Sequence, residues 1–414
     1  MATKLGIYIQ VPFCQTKCTY CNFHTGVVSR DRYQPYADAV CREIRESASD
    51  WGSVASGTAL EVAGLGAPGA ETQNAQADDG RAMVDTVYVG GGTPSLLDPA
   101  ALAKILDTLR ASFRTEAPEI TLEADPETIS PVKAAAWVAS GFNRISLGAQ
   151  SFQDNELQSA GRMHRREDIF RAVETLRAAG IANISMDLIA GLAHQTRASW
   201  EESVSQLLRI YPEHVSIYML EIDEGSRLGK ESLAGGTRYG ADAIPDDDSI
   251  ADFYESARAR LAAAGYDHYE ISNWALPGRR SRHNMKYWRR EPYVGFGAGA
   301  HSFDGVARWA NVHEAPRYVT LIERGKSARE QNEFVSPPQA LNEEFFLGLR
   351  MTEGVDVDRI ERESDPALSD RLLSIRLRID ALKSLGFVQF DGSRLRIAPE
   401  RFAVSSEVFV ELLT

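Results

Sequence analysis

The chain predicts an α/β protein: an incomplete six-stranded parallel (β/α)6 barrel followed by a C-terminal winged-helix-like α+β domain. Three observations carry this expectation. Strand-like and helix-like segments alternate from residue 5 to 222, the helices have readable ends, and the polar signals gather where the strands end.

The first strand is marked by Ile7, Ile9 and Val11, which alternate with Tyr8 and Gln10. Further strands are expected at 85–89, 119–123, 143–147, 182–188 and 214–220. Asp98-Pro99 supplies an N-cap and a first-turn proline for a helix whose apolar stripe is Leu102, Ile105, Leu106 and Leu109. Ser130-Pro131 opens the next helix and Gly141 closes it. Ile169, Val173 and Leu176 mark another, ended by Gly180. Residues 52–82, rich in Ala, Gly and polar side chains, are expected to form a flexible insertion. Residues 225–249 read as a connector or a helix start. Near the end, Leu372, Ile375, Ile379 and Leu382 stripe a helix. A hairpin of Phe387–Phe390 and Leu395–Ile397, turning at Asp391-Gly392, completes the winged-helix-like unit. The expected organisation is thus 1–240 for the partial barrel, 241–335 for an intervening segment and 336–414 for the C-terminal domain.

Composition restricts function. The 414 residues carry a net charge of −13, which argues against a nucleic-acid phosphate backbone as partner. No apolar run approaches the roughly 20 residues that span a bilayer, and the first twelve residues lack a signal peptide's apolar stretch and cleavage site. Three of the four cysteines are clustered, as metal-binding thiolates are in a reducing compartment, so a cytoplasmic location is expected.

The cluster is Cys14-x3-Cys18-x2-Cys21. A [4Fe–4S] cube usually takes four cysteines, so three leave one iron open to another ligand. A closed zinc site of Cys14, Cys18, Cys21 and His24 is the alternative on spacing alone. Gly90-Gly91-Gly92-Thr93-Pro94-Ser95 follows a strand, and its glycines let a ligand approach backbone N–H groups. Glu123, Gln150, Arg162 and Asp187, each taken alone, read as helix caps or ion-pair partners rather than as site residues. His283 in His283-Asn-Met-Lys-Tyr287-Trp288 reads by pattern as a buried core histidine.

Together these motifs resemble the radical S-adenosylmethionine (SAM) superfamily. Glu123-Ala-Asp-Pro126, Asn143-Arg-Ile-Ser-Leu-Gly-Ala-Gln-Ser-Phe152 and Met186-Asp-Leu-Ile-Ala-Gly-Leu192 are similar to the group that holds oxygen-independent coproporphyrinogen III oxidase and the HemW-type heme chaperones. The resemblance spans nearly the whole chain. It implies a [4Fe–4S] cluster on Cys14, Cys18 and Cys21, and SAM held by Tyr8, Gly91, Gly92, Thr93, Glu123, Gln150, Arg162 and Asp187. Two departures from the oxidases favour the chaperones: Phe23 stands where the oxidases have a further cysteine, and only 13 residues precede Cys14. The H-N-x-x-Y-W motif is a chaperone feature. It implies His283 as a heme ligand, with Arg279, Arg280 and Arg282 near the propionates and His301 as a second candidate. Heme, heme-accepting proteins and an electron donor are the implied partners, and transient membrane contact is compatible with that role. The remaining alternative is a zinc-binding winged-helix protein.

Overall fold

The computed structural model describes residues 4–22, 24–51 and 81–413; Phe23 and nearly all of the expected insertion lie outside them. The six expected strands form as β1 (Leu5–Val11), β2 (Met83–Gly91), β3 (Arg114–Ala124), β4 (Arg144–Gln150), β5 (Ile184–Ala190) and β6 (His214–Met219). All five successive pairings are parallel. Each crossover carries helix, as parallel neighbours require.

The two faces of these strands differ chemically. Val87, Val89, Leu122, Ile145, Leu147, Ile184, Met186 and Leu188 point to the helix layer and are buried there. Alternate positions point the other way and are polar: Tyr88, Glu123, Ser146, Asp187 and Ser216. Period-two geometry therefore gives one apolar face that packs and one polar face that lines a cavity. The helix Pro99–Ser112 starts where Asp98 accepts a hydrogen bond from the Ala100 N–H, and buries Leu102, Ile105, Leu106 and Leu109. Each such side chain contributes about 1.5–3 kcal/mol by leaving water. Gly141 and Gly180 end their helices at φ 98° and 99°, in the left-handed region that a C-terminal cap requires.

The sheet continues past the predicted core at both edges. Beyond β6, in spatial order, come β8 (Asn273–Ala275) and β7 (Asp267–Glu270). Beyond β1 come β9 (Tyr293–Phe296), β10 (His301–Phe303), β11 (Ala307–Asn311) and β12 (Arg329–Phe334), giving an open twelve-stranded sheet. β9 joins β1 in parallel, and the later pairings are antiparallel. Residues 225–249 hold the helix Arg227–Leu233 and the N-cap of a second helix, Asp247–Ala263, whose Asp246 accepts from the Ser249 N–H. The expected C-terminal unit forms: the helix Ser369–Ser384, then the antiparallel strands Val388–Phe390 and Arg394–Ile397, with Val355–Asp356 as a third strand. Among the described residues, no helix is long and apolar enough to cross a membrane.

Candidate functional site

One cavity of about 830 Å³ opens at the C-terminal ends of the parallel strands. Its lining includes Cys14, Cys18, Cys21, Tyr8, Gly91, Gly92, Thr93, Glu123, Gln150, Arg162 and Asp187. The fold therefore collects these residues from six separate segments.

The cysteine loop leaves β1 at once. It is fastened where the Cys14 N–H donates to the Gly26 carbonyl (3.0 Å) and the Gly26 N–H to the Pro12 carbonyl (2.9 Å). The glycine turn lies against it. Gly92 N–H donates to Val11 O at 2.8 Å and Thr93 N–H to Phe13 O at 2.7 Å. A Cβ on Gly92 would stand 2.5 Å from Phe13 O and 2.8 Å from Cys14 Sγ, so only glycine allows this approach. Gly91, at φ +119°, aims its N–H at Glu123 Oε2, 2.9 Å away.

Glu123 also accepts from the Tyr88 hydroxyl at 2.8 Å. Burial pushes its carboxyl up to about 7, against those two donors. Asp187 is raised to about 6 by burial, opposed by Ser216, Arg144 and Ser146. Two carboxyls raised by burial thus face one cavity, where a cationic ligand would favour their ionised forms. Arg162 pairs with Asp125, donates to Gly148 O at 3.0 Å and lies 3.5 Å from Cys18 Sγ. Gln150 ends β4 at φ 64°, a conformation costly for a residue with a side chain and found where a site demands it.

None of the three cysteines is in a disulfide and all three line the cavity, with burial pushing the Cys14 thiol up. This donor set fits an iron–sulfur cube, whose irons each take one thiolate. His24, the fourth ligand of the zinc alternative, instead packs its ring on His313 with centroids 4.3 Å apart. Among the described residues, no three His, Cys, Asp or Glu side chains meet around one ion.

The structure does not bring His283 to the cavity. The seven-residue helix Arg282–Trp288 lies against β2, and its His283 is 1% exposed. Nδ1 is 2.9 Å from Thr86 Oγ1 and Nε2 is 2.8 Å from the Tyr287 hydroxyl, so both ring nitrogens are engaged. Burial drives the imidazole down to about 3, aided by Lys286 and Arg144. In this conformation His283 does not line the cavity, and both of its ring nitrogens are hydrogen-bonded to hydroxyl groups. Of the same motif, Tyr287 lines the cavity, while Trp288 packs beneath the Arg350 guanidinium. Arg280 and Arg282 also face elsewhere, paired with Asp267 and Asp85.

Sequence profiles match the radical SAM superfamily at residues 70–207 and the HemN C-terminal domain at 335–400. The "Heme chaperone HemW" of Bacillus subtilis (strain 168) is 31% identical over 405 residues, 97% of either chain. That of Synechocystis sp. is 37% identical over 84% of this chain and 78% of its own. The chain belongs to the HemW family. Coproporphyrinogen III oxidase (HemN) from Escherichia coli superposes with a TM-score of 0.79 over 100% of this chain and 91% of its own. At 21% identity that likeness establishes a shared fold. Radical SAM membership of the HemW family implies a [4Fe–4S] cluster and SAM.

Several residues of the site were not singled out from sequence. Asp125 is quoted in a motif, yet its pairing with Arg162 and its bond from Thr93 Oγ1 at 3.1 Å emerge only in three dimensions. Tyr88 sits in a strand as one more β-former. His24 and His313, 289 positions apart in the chain, carry no local signal that they meet.

Proposed function

We propose that this chain is a heme chaperone. It holds a [4Fe–4S] cluster on Cys14, Cys18 and Cys21, binds SAM across the glycine turn, and passes heme to acceptor proteins. The observation that carries this reading is the single cavity shared by the three thiols, the glycine turn and the ionisable Glu123 and Asp187, in a chain of the HemW family. Cys14, Cys18 and Cys21 would hold the cluster, which, once reduced by a donor protein, would be able to supply an electron to bound SAM.

This chain's own groups do the positioning. Gly91 and Gly92 give backbone close approach to the methionyl part of the cofactor. Tyr8, whose hydroxyl donates to Gln10 at 2.8 Å, forms the wall beneath it. Glu123 and Asp187 ionise against the cofactor's positive charge, and Gln150 and Arg162 border its ribose side. In this reading residues 1–240 hold the cofactors. Residues 241–335 complete the cavity wall, and 336–414 act as a packing or covering domain. The work is placed in the cytoplasm, where clustered thiols stay reduced, with transient membrane contact when an acceptor lies there.

Anaerobically reconstituted protein is expected to contain iron and sulfide, to bind hemin on titration, and to yield that heme to an apo-cytochrome. Zinc without iron would overturn the cluster. Protoporphyrinogen formed from coproporphyrinogen, SAM and reductant would overturn a chaperone-only role in favour of the oxidase.

A further inference from the structure

The chain has eight histidines. Four of them are scaffold. His283 is engaged at both nitrogens, as is His214, with Ser185 Oγ and the Tyr269 hydroxyl each at 2.7 Å. His164 lies 3.0 Å from Ala149 O, and His268 stacks on Trp274 at 4.2 Å. His194 is exposed outside the cavity lining. The other three, His24, His301 and His313, all line the cavity.

They arrive from the cysteine loop, the start of β10 and the segment after β11. His301 is exposed at the rim, and among the described residues nothing hydrogen-bonds its ring. His313 Nδ1 is buried without a partner. Buried imidazole nitrogens ordinarily find one, so a vacant acceptor or donor beside a cavity is a reason to look for a ligand.

His301 is also held in place more firmly than a rim residue needs. It ends the turn Gly297-Ala-Gly-Ala300, in which Gly297 and Gly299 take φ +103° and +73°. That turn is anchored from behind. Gly297 N–H donates to Glu43 Oε2 (2.9 Å), Ala298 N–H to the Tyr36 hydroxyl (2.8 Å), and Asn311 Nδ2 to Gly297 O (2.9 Å). A rigid backbone thus presents an unpartnered imidazole toward a cavity. Partial burial, and then the neighbouring His313 and His24, push that imidazole down, which favours its neutral form. Neutral imidazole is the form that iron takes.

We propose that His301, not His283, is the axial ligand of the heme iron, the porphyrin lying at the cavity mouth with His24 and His313 beside it. This rests on the heme-chaperone reading. The test is hemin titration of the cluster-loaded protein, read by the Soret band and by electron paramagnetic resonance, in wild type, His301→Ala and His283→Ala. In His301→Ala the Soret band is expected to shift, the histidine-ligated signal to disappear, and the dissociation constant to rise about tenfold or more. Added imidazole should restore the low-spin spectrum in that variant, which a misfolded protein would not allow. In His283→Ala the ligation spectrum is expected to be that of wild type. If wild type binds hemin and His301→Ala titrates with the same spectrum and affinity, the assignment is overturned while the chaperone reading stands. If wild type binds no hemin, both fall.

Discussion

Glu123 shows how one carboxyl can link a fold to a cationic cofactor. Its carboxyl is pushed up to about 7 by burial, and it accepts from Tyr88 and from Gly91. A cation in the cavity favours the ionised form, so SAM binding by equilibrium dialysis should strengthen as pH rises through about 7. Glu123→Gln should flatten that dependence and weaken binding about tenfold, the cost of losing one charge-assisted contact. Cys18→Ser should retain the fold and lose the cluster, measured as iron and sulfide per chain. The thiols and Glu123 were legible from sequence because spacing and motif are local properties. The state of His283 was not: whether a histidine is offered or sealed depends on Thr86, nearly two hundred residues earlier, and on how the helix that bears it docks.

Two turns illustrate how elements position chemistry. Gly92 brings the second strand's end against Cys14, so Gly92→Ala should displace the cysteine loop and lower cluster content. Gly26→Ala, where an added Cβ meets open space, should leave it unchanged. The turn Gly297–Ala300 depends on Glu43, which accepts from Gly297 N–H, Asn311 Nδ2 and the Tyr318 hydroxyl. Glu43→Ala would strand those buried donors at a cost of about 3 kcal/mol, visible as a lower urea midpoint. The parallel core was readable because its strands are bounded by capped helices. The added edges were not: β12 is Arg-Glu-Gln-Asn-Glu-Phe, exposed throughout, with no alternation to mark it. β7, β8 and β10 are only three or four residues long.

Across the whole molecule, buried ionisable groups set the pH response of the cofactor-free chain. Glu43 and Glu123 are both raised from 4.5 to about 7 by burial. The folded chain therefore keeps protons that the unfolded chain releases, and stability falls as pH rises through that window. His283 and His268 act oppositely. Their ordinary value of 6.5 is lowered by burial to about 3 and about 4, so their contribution is lost as pH falls below 6.5. Acidifying from alkaline pH to near 6.5 should thus raise the melting temperature, and a Glu43→Gln, Glu123→Gln double variant should lack that rise. Domain-scale features, a parallel sheet and a helix-plus-hairpin terminus, were visible in the sequence because each repeats a short local pattern. His24 and His301 stood out individually in the sequence, but their meeting with His313 at one rim did not, because it depends on pairings between distant strands.

The parallel pairing of β1 with β9 has a consequence for how the chain is made. The cysteine loop, the glycine turn and the carboxylates all leave the ribosome before residue 190, whereas β1's second neighbour is not synthesised until residues 293–296. Until then β1 is a bare edge, the kind of surface that recruits foreign strands. Nascent chains stalled between those points are expected to be the aggregation-prone species, and His301 and His313 are the last part of the cavity to be born.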